Sequence, residues 1–180
     1  AVALMREQGI DAMYLHAGTS LQYFTGLKWY ASERMVGALL TASGVLKFIA
    51  PHFELGTLNE YMVHQAEVCG WHEHESPYAL LFKMLTDLGV AVADAGTVLA
   101  IDESAPFYVF DGLREQGQAC RFVNARPVTA ACRMRKSAAE LALMQQAKDM
   151  TLAVHKAVAS ILHEGISTLE VEAFIDEAHR

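Results

Sequence analysis

His72 and His74 stand two residues apart in the stretch WHEHES at 71 to 76. On an extended segment such a pair points to one side, and paired imidazoles often hold a transition metal. A working metal centre needs further ligands, yet the chain has no HExxH and no third candidate near this pair. Polar residues at a water-facing strand end are the competing account, and no native metal is expected here. The second constellation is GLKWYASER, residues 26 to 34, where Trp29 and Tyr30 precede Glu33 and Arg34. Aromatic rings beside a fork-shaped cation suit the gripping of a small polar ligand. The alternative stays open that Trp29 and Tyr30 pack locally while Glu33 and Arg34 form an exposed pair.

Other reactive residue types lack the company their chemistry needs. Cys69, Cys120 and Cys132 form no CxxC, cannot all pair, and have no neighbours that would favour the thiolate. Ser20, Ser43, Ser104 and Ser160 lie in no GxSxG elbow. GTSLQYFTG holds two glycines but matches neither the P-loop nor GxGxxG, which argues against a phosphate cradle. Asp149, Glu164, Glu170, Glu172, Asp176 and Glu177 fall along helical segments and read as solvated faces rather than ligands. His155 and His163 read as surface or interface histidines of the same segments.

These residues must be carried by elements, and punctuation by Gly, Pro and Ser marks them out. ALMREQG reads as a helix closed by Gly9, and IDAMYLH as a strand. MVGALLTASGVLKFIAP reads as a hairpin turning at Ser43 and Gly44. HFELGTLNEYMVH is expected to be a helix and AEVCGW a strand. PYALLFKMLTDLGV has Pro77 at a helix start and Gly89 after its end. TVLAIDES, APFYVFDGLREQG and ACRFVNA read as strand, helix and strand. The alternation predicts an α/β domain of three layers, α/β/α, and the hairpin makes its sheet mixed.

The pattern changes after Pro127. Ser137 to Glu140 (SAAE) and Ser167 to Glu170 (STLE) are two capping boxes, each opening a helix. Behind the first, Leu143, Ala147, Met150, Val154, Ala157 and Ile161 recur on one face, with Gly165 expected to end that helix. Val171, Phe174, Ile175 and Ala178 mark the second helix. Two such faces must cover something, either the preceding domain or polypeptide outside this chain; the second reading is the one taken here.

Composition narrows the function classes. The 180 residues are 53% hydrophobic and 19% charged, which fits a packed core and not a disordered chain. A net charge of −7 repels phosphate backbones and anionic headgroups, so neither nucleic acid nor membrane is expected as a partner. The cysteine pattern fits a reducing compartment, AVALMREQG does not read as a signal peptide, and a cytoplasmic location is expected. The chain starts at Ala1, so an upstream methionine is expected.

Two stretches resemble a known family. LQYFTGLKWYASERMVGALLTASGVLKFIAPHFE looks like the creatinase/prolidase amino-terminal domain where N-x-x-Y-x-T-G precedes E-R and a hairpin. Tyr23, Thr25, Gly26, Glu33 and Arg34 stand in the matching places, with Ser20 or Gln22 near the position of the family's Asn. ARPVTAACRMRKSAAELALMQQAKDMTLAVHKAV is similar to the family's domain junction, matched by Arg133, Lys136, Ser137, Glu140, Leu141 and Ala147. EGISTLEVEAF is like the turn that follows.

The resemblance implies a domain over residues 1–132 and, over 133–180, the first helices of an incomplete pita-bread catalytic domain. It implies Xaa-Pro dipeptidase or aminopeptidase activity for the intact protein, a homodimer, and a short proline-containing peptide as substrate. The family's chemistry uses two divalent ions (Mn, Co or Zn) held by two Asp, one His and two Glu, none of them in the matched stretch. This chain alone is therefore expected to have no catalytic or metal-binding residues. By the same resemblance Trp29, Tyr30, Glu33 and Arg34 form a substrate-gating loop that reaches toward a partner subunit's active site. Two rivals remain: a creatinase-like amidinohydrolase or lyase on the same fold, and a stand-alone, non-catalytic dimerisation module.

Overall fold

A computed structural model describes residues 1–180, which divide into two compact units, Ala1–Cys132 and Arg133–Arg180. The first unit is built on six strands: β1 (Ala12–His16), β2 (Gly37–Thr41), β3 (Leu46–Pro51), β4 (Glu67–Trp71), β5 (Val98–Ile101) and β6 (Arg121–Asn124). Their order in the sheet is β4-β3-β2-β1-β5-β6. The hairpin makes β1, β2 and β3 antiparallel neighbours, while β4, β5 and β6 join in parallel. The sheet is mixed, as the sequence predicts.

Every residue of β1 is buried, because this central strand has both faces covered. Met13 and Leu15 point to one core, shared with Ala38, Phe48, Ala100 and residues of α1 (Val2–Glu7), α2 (Thr19–Thr25) and α3 (Leu55–Tyr61). Tyr14 points to the other, with Leu39, Ile49, Leu99 and residues of α4 (Pro77–Asp87) and α5 (Phe107–Gln116). The period of two along the strand thus feeds two helical layers. α4 starts where Ser76 accepts the Ala79 amide and Pro77 occupies the first turn.

Three features depart from the sequence reading. α2 carries no signal in the sequence: seven residues show no helical period, and its ends are set by glycines instead. Gly26 closes it in the left-handed conformation, φ 76°, where an added Cβ would also meet Val63 Cγ2 at 3.0 Å. α6 (Arg126–Met134) was likewise unforeseen; it buries Val128 and Thr129. The segment expected as one helix from His52 divides into a 3-10 turn, His52–Glu54, and α3, which ends at Tyr61 as Met62 turns extended.

The second unit holds α7 (Ala138–Ile161) and α8 (Thr168–Ala178), and both capping boxes form. In the first, Ser137 accepts the Glu140 amide at 3.2 Å and Glu140 accepts the Ser137 amide at 2.7 Å. α7 ends at Ile161, not at Gly165. Leu162 turns extended, and Gly165, φ 88°, serves instead in the turn closed by the Ile166 amide on the His163 carbonyl. Along the apolar stripe Val154 is buried and Ala157 and Ile161 are half-buried, whereas Leu143 is 66% and Met150 49% exposed. A large part of this stripe is bare. No helix is long and apolar enough to cross a membrane.

Candidate functional site

The loop between α2 and β2 is pinned at both ends and stands clear in the middle. Leu27 is fully buried at one end, and Met35 and Val36 are buried at the other. The Met35 carbonyl accepts the Trp71 indole N–H at 3.2 Å, fixing the loop's exit to the end of β4. Between these anchors, residues 28–34 lie at the surface, with Trp29 and Arg34 half-buried and Tyr30 76% exposed.

Trp29, Ser32 and Arg34 tie the loop to other elements. Trp29 meets Tyr61 of α3 edge to face, with ring centroids 6.5 Å apart. Arg34 Nε donates to Glu73 Oε1 at 2.9 Å, and its Nη1 pairs with Glu33. The same guanidinium lies 5.4 Å over the Phe53 ring. Its hydrogen bond to Glu73 raises it further above the ordinary arginine range. Tyr108 of α5 donates to the Ser32 carbonyl at 3.0 Å. Lys28 sits 5.8 Å over the Tyr30 ring and makes no ion pair.

These contacts bound an open cleft of about 620 Å³ lined by Lys28, Trp29, Tyr30, Ser32, Glu54 and Tyr61. Its volume suits a small ligand, and its walls combine aromatic faces with one cation and one carboxylate. Trp29, Tyr30, Glu33 and Arg34 all lie on the one loop, but they play two parts. Trp29 and Tyr30 line the cleft, while Glu33 and Arg34 secure the loop. The plainer account had Trp29 and Tyr30 packing locally and Glu33–Arg34 as an exposed pair; Trp29 instead packs on Tyr61 of α3, Tyr30 stands 76% exposed, and Arg34 is half-buried beside exposed Glu33. The reach of Arg34 to Glu73 and Phe53 is what that account lacked.

His72 and His74 do share one side, but their rings stack instead of converging on a point. His72 lies 4.3 Å from His52 and 5.7 Å from His74, centroid to centroid. No group of three or more His, Cys, Asp or Glu side chains in the chain is placed to hold a metal ion. His52, Phe53, Tyr61, Glu73 and Tyr108 escaped the sequence reading. His52 is placed by the register of the strands: with Pro51 paired to Trp71 across β3 and β4, the next residues, His52 and His72, become neighbours. Cys69 and Cys120 are poor nucleophiles, because burial pushes both thiols up.

A second polar group lies inside the sheet. His16 is fully buried; its Nδ1 is 3.0 Å from the Tyr14 hydroxyl, and its amide donates to Asp102 Oδ2 at 3.2 Å. Nε2 has no partner. Burial lowers the His16 pKa, opposed by the charge of Asp102.

Residues 1–135 match the sequence model described as the creatinase/prolidase N-terminal domain. A putative dipeptidase, YkvY of Bacillus subtilis, is 25% identical over 173 residues, covering 96% of this chain and 46% of the relative. The crystal structure of dipeptidase PepE from Mycobacterium ulcerans superposes with a TM-score of 0.84 at 28% identity, over 98% of this chain and 46% of that one. A prolidase from Thermococcus sibiricus shares the fold, with a TM-score of 0.83 at 22% identity over 98% and 47% of the two chains. The chain spans about half the length of the curated relatives it matches.

Proposed function

The chain belongs to the creatinase/prolidase N-terminal domain family, and on that premise we propose that it is part of an Xaa-Pro peptidase, with the 28–34 loop as its substrate gate. The names of its relatives support peptide hydrolysis: among those it matches over nearly its full length, the Bacillus and Mycobacterium proteins are called dipeptidases and the Schizosaccharomyces pombe protein a peptidase. The observation that carries the gating role is the division of labour on the loop. Trp29 and Tyr30 present rings to the cleft, and Arg34 ties the loop down through Glu73 and Phe53. A rigid, apolar proline ring suits aromatic walls, and a pinned aromatic lid excludes both water and long substrates.

The metal pair that the family resemblance implies does not fit these residues, since no suitable ligand group is present. We place the metal ligands, and the chemistry itself, outside these 180 residues. The bare stripe of α7, with Leu143 and Met150 exposed, supports a role in packing against further polypeptide, in the same subunit or in a homodimer.

The test joins the chain to the reading frame that follows it. The longer protein is expected to cleave short Xaa-Pro peptides, and the 180-residue chain is expected not to. Trp29→Ala and Arg34→Ala in the longer protein should raise turnover of longer peptides relative to dipeptides. Turnover and length preference unchanged in both variants would remove the gate; hydrolysis of creatine in place of peptides would replace the peptidase.

A further inference from the structure

We propose that the cleft at the carboxyl ends of β5 and β6 is a binding site for a small organic cation, an ammonium group carried on an apolar, ring-sized body. The cleft has a volume of about 490 Å³ and shares no lining residue with the one beside Trp29. Asp102, Glu103 and Asn124 supply its polar wall, and Phe107, Phe110 and Phe122 its apolar wall.

Topology sets the place. β1, β5 and β6 run parallel; the chain continues from β1 to β2 on one side and from β5 to β6 on the other. The strand order therefore reverses between β1 and β5, and connections that part at such a point leave a crevice beyond the carboxyl ends. Asp102 directly follows β5 and spans this gap. Its amide donates to the Tyr14 carbonyl at 2.9 Å, and its Oδ2 accepts the His16 amide at 3.2 Å.

The carboxylates lack the counter-charge that their setting calls for. Asp102 is only 2% exposed, and neutral donors alone hold it: the His16 amide on Oδ2, and the Ser104 amide and hydroxyl on Oδ1, both at 2.8 Å. Buried charges are ordinarily paired with a cation or a metal. Asp102 takes part in no ion pair, and the side chains around it make up no metal-binding group. Glu103 adds a second, exposed carboxylate without a cationic partner. Both its oxygens lie 2.9 Å from the Thr129 hydroxyl, whose single proton serves one of them at a time.

The facing wall suits the body of such a cation. Phe107 and Phe110 stand one turn apart on α5 with ring centroids 6.4 Å apart, and Phe110 meets Phe122 of β6 edge to face at 6.0 Å. Phe107 is 74% exposed, a ring left in water that a ligand would cover. Aromatic faces attract an ammonium group as well as covering an apolar one. Two carboxylates repel anions, so sign as well as shape selects the ligand.

This site does not rest on the gating role, and its test needs no assay of activity. Backbone amide NMR spectra of the 180-residue chain are followed at pH 7 and fixed salt during titration with phenethylamine, 2-phenylethanol or phenylacetate. Phenethylamine, protonated at this pH, is expected to give saturable shifts confined to residues 101–110 and 122–124, with a Kd on the order of 1 mM. The neutral alcohol should bind about ten-fold more weakly, and phenylacetate should not bind. Glu103→Gln and Phe107→Ala change exposed side chains and should leave the fold intact. The first should narrow the preference for amine over alcohol several-fold, and the second should weaken both ligands. Asp102→Asn should erase the preference; where that variant fails to fold, Glu103→Gln decides. No saturable shift at twenty times the expected Kd overturns the site, as do shifts lying elsewhere, equal binding of phenylacetate, or a preference untouched by Glu103→Gln.

Discussion

The Tyr14 hydroxyl and His16 Nδ1 lie 3.0 Å apart inside the sheet, two residues along the same strand. The hydroxyl has a single proton, and it donates that proton to the Val36 carbonyl at 3.1 Å. His16 must then donate from Nδ1, which leaves a bare lone pair at the partnerless Nε2. In that tautomer the one stranded polar atom is the Nε2 acceptor. Protonation at Nε2 creates a buried N–H, and a charge, with nothing to receive them.

Stability should therefore fall in mild acid. The folded pKa of His16 is lowered, so between the unfolded value, about 6.5, and the lower folded value the unfolded chain binds the extra proton. The contribution is complete above the unfolded value and is lost as pH drops toward the folded one. Glu67, Glu75, Glu140 and Glu170, whose pKa values are also lowered, lose theirs only further into acid. Urea midpoints from pH 7.5 to 5 should decline, and His16→Gln should flatten the slope. A slope unchanged by that substitution removes His16 as its source.

Leu58 links the core to the gate. It is fully buried on α3, three residues before Tyr61. Leu58→Ala should cost about 2–5 kcal/mol by chemical denaturation, the range for emptying such a site. It should also loosen the Trp29–Tyr61 contact, seen as a red shift of Trp29 emission in a Trp71→Phe background. A loss of stability with unchanged emission would show that the loop does not depend on α3.

Ser137→Ala removes one half of a capping box and should act only on α7. The expected loss is about 0.5–2 kcal/mol of local helix stability. Exchange should rise in the first turn after Ala138 and stay the same in β1. An unaltered first turn would mean that the capping contact is of no consequence.

The bare stripe of α7 should make the chain adhesive. Leu143→Lys with Met150→Lys, both at exposed positions, should reduce hydrophobic dye binding and self-association without lowering the denaturation midpoint. Native chain that is already monomeric and dye-silent at high concentration would count against an unpartnered face.

Some of this protein is legible along the chain. The capping boxes at Ser137 and Ser167, the hairpin at Ser43–Gly44 and the alternation of Met13, Tyr14 and Leu15 are fixed by hydrogen bonds and periods that span a few residues. Such signals are complete within one helical turn or one strand, so composition and spacing suffice to read them. α2 escaped because its boundaries are glycines at positive φ, Gly18 and Gly26, and the chain between them is too short to show a period.

The site belongs to the tertiary structure. Arg34 reaches Glu73 across thirty-nine residues, and Trp71 reaches Met35 across thirty-six. His52 meets His72 only because β3 and β4 pair in the register Pro51 to Trp71. A slip of one residue would turn every side chain of β4 to the opposite face and dissolve the stack. That register is chosen by burial of the two cores, a collective property that no local stretch of sequence contains.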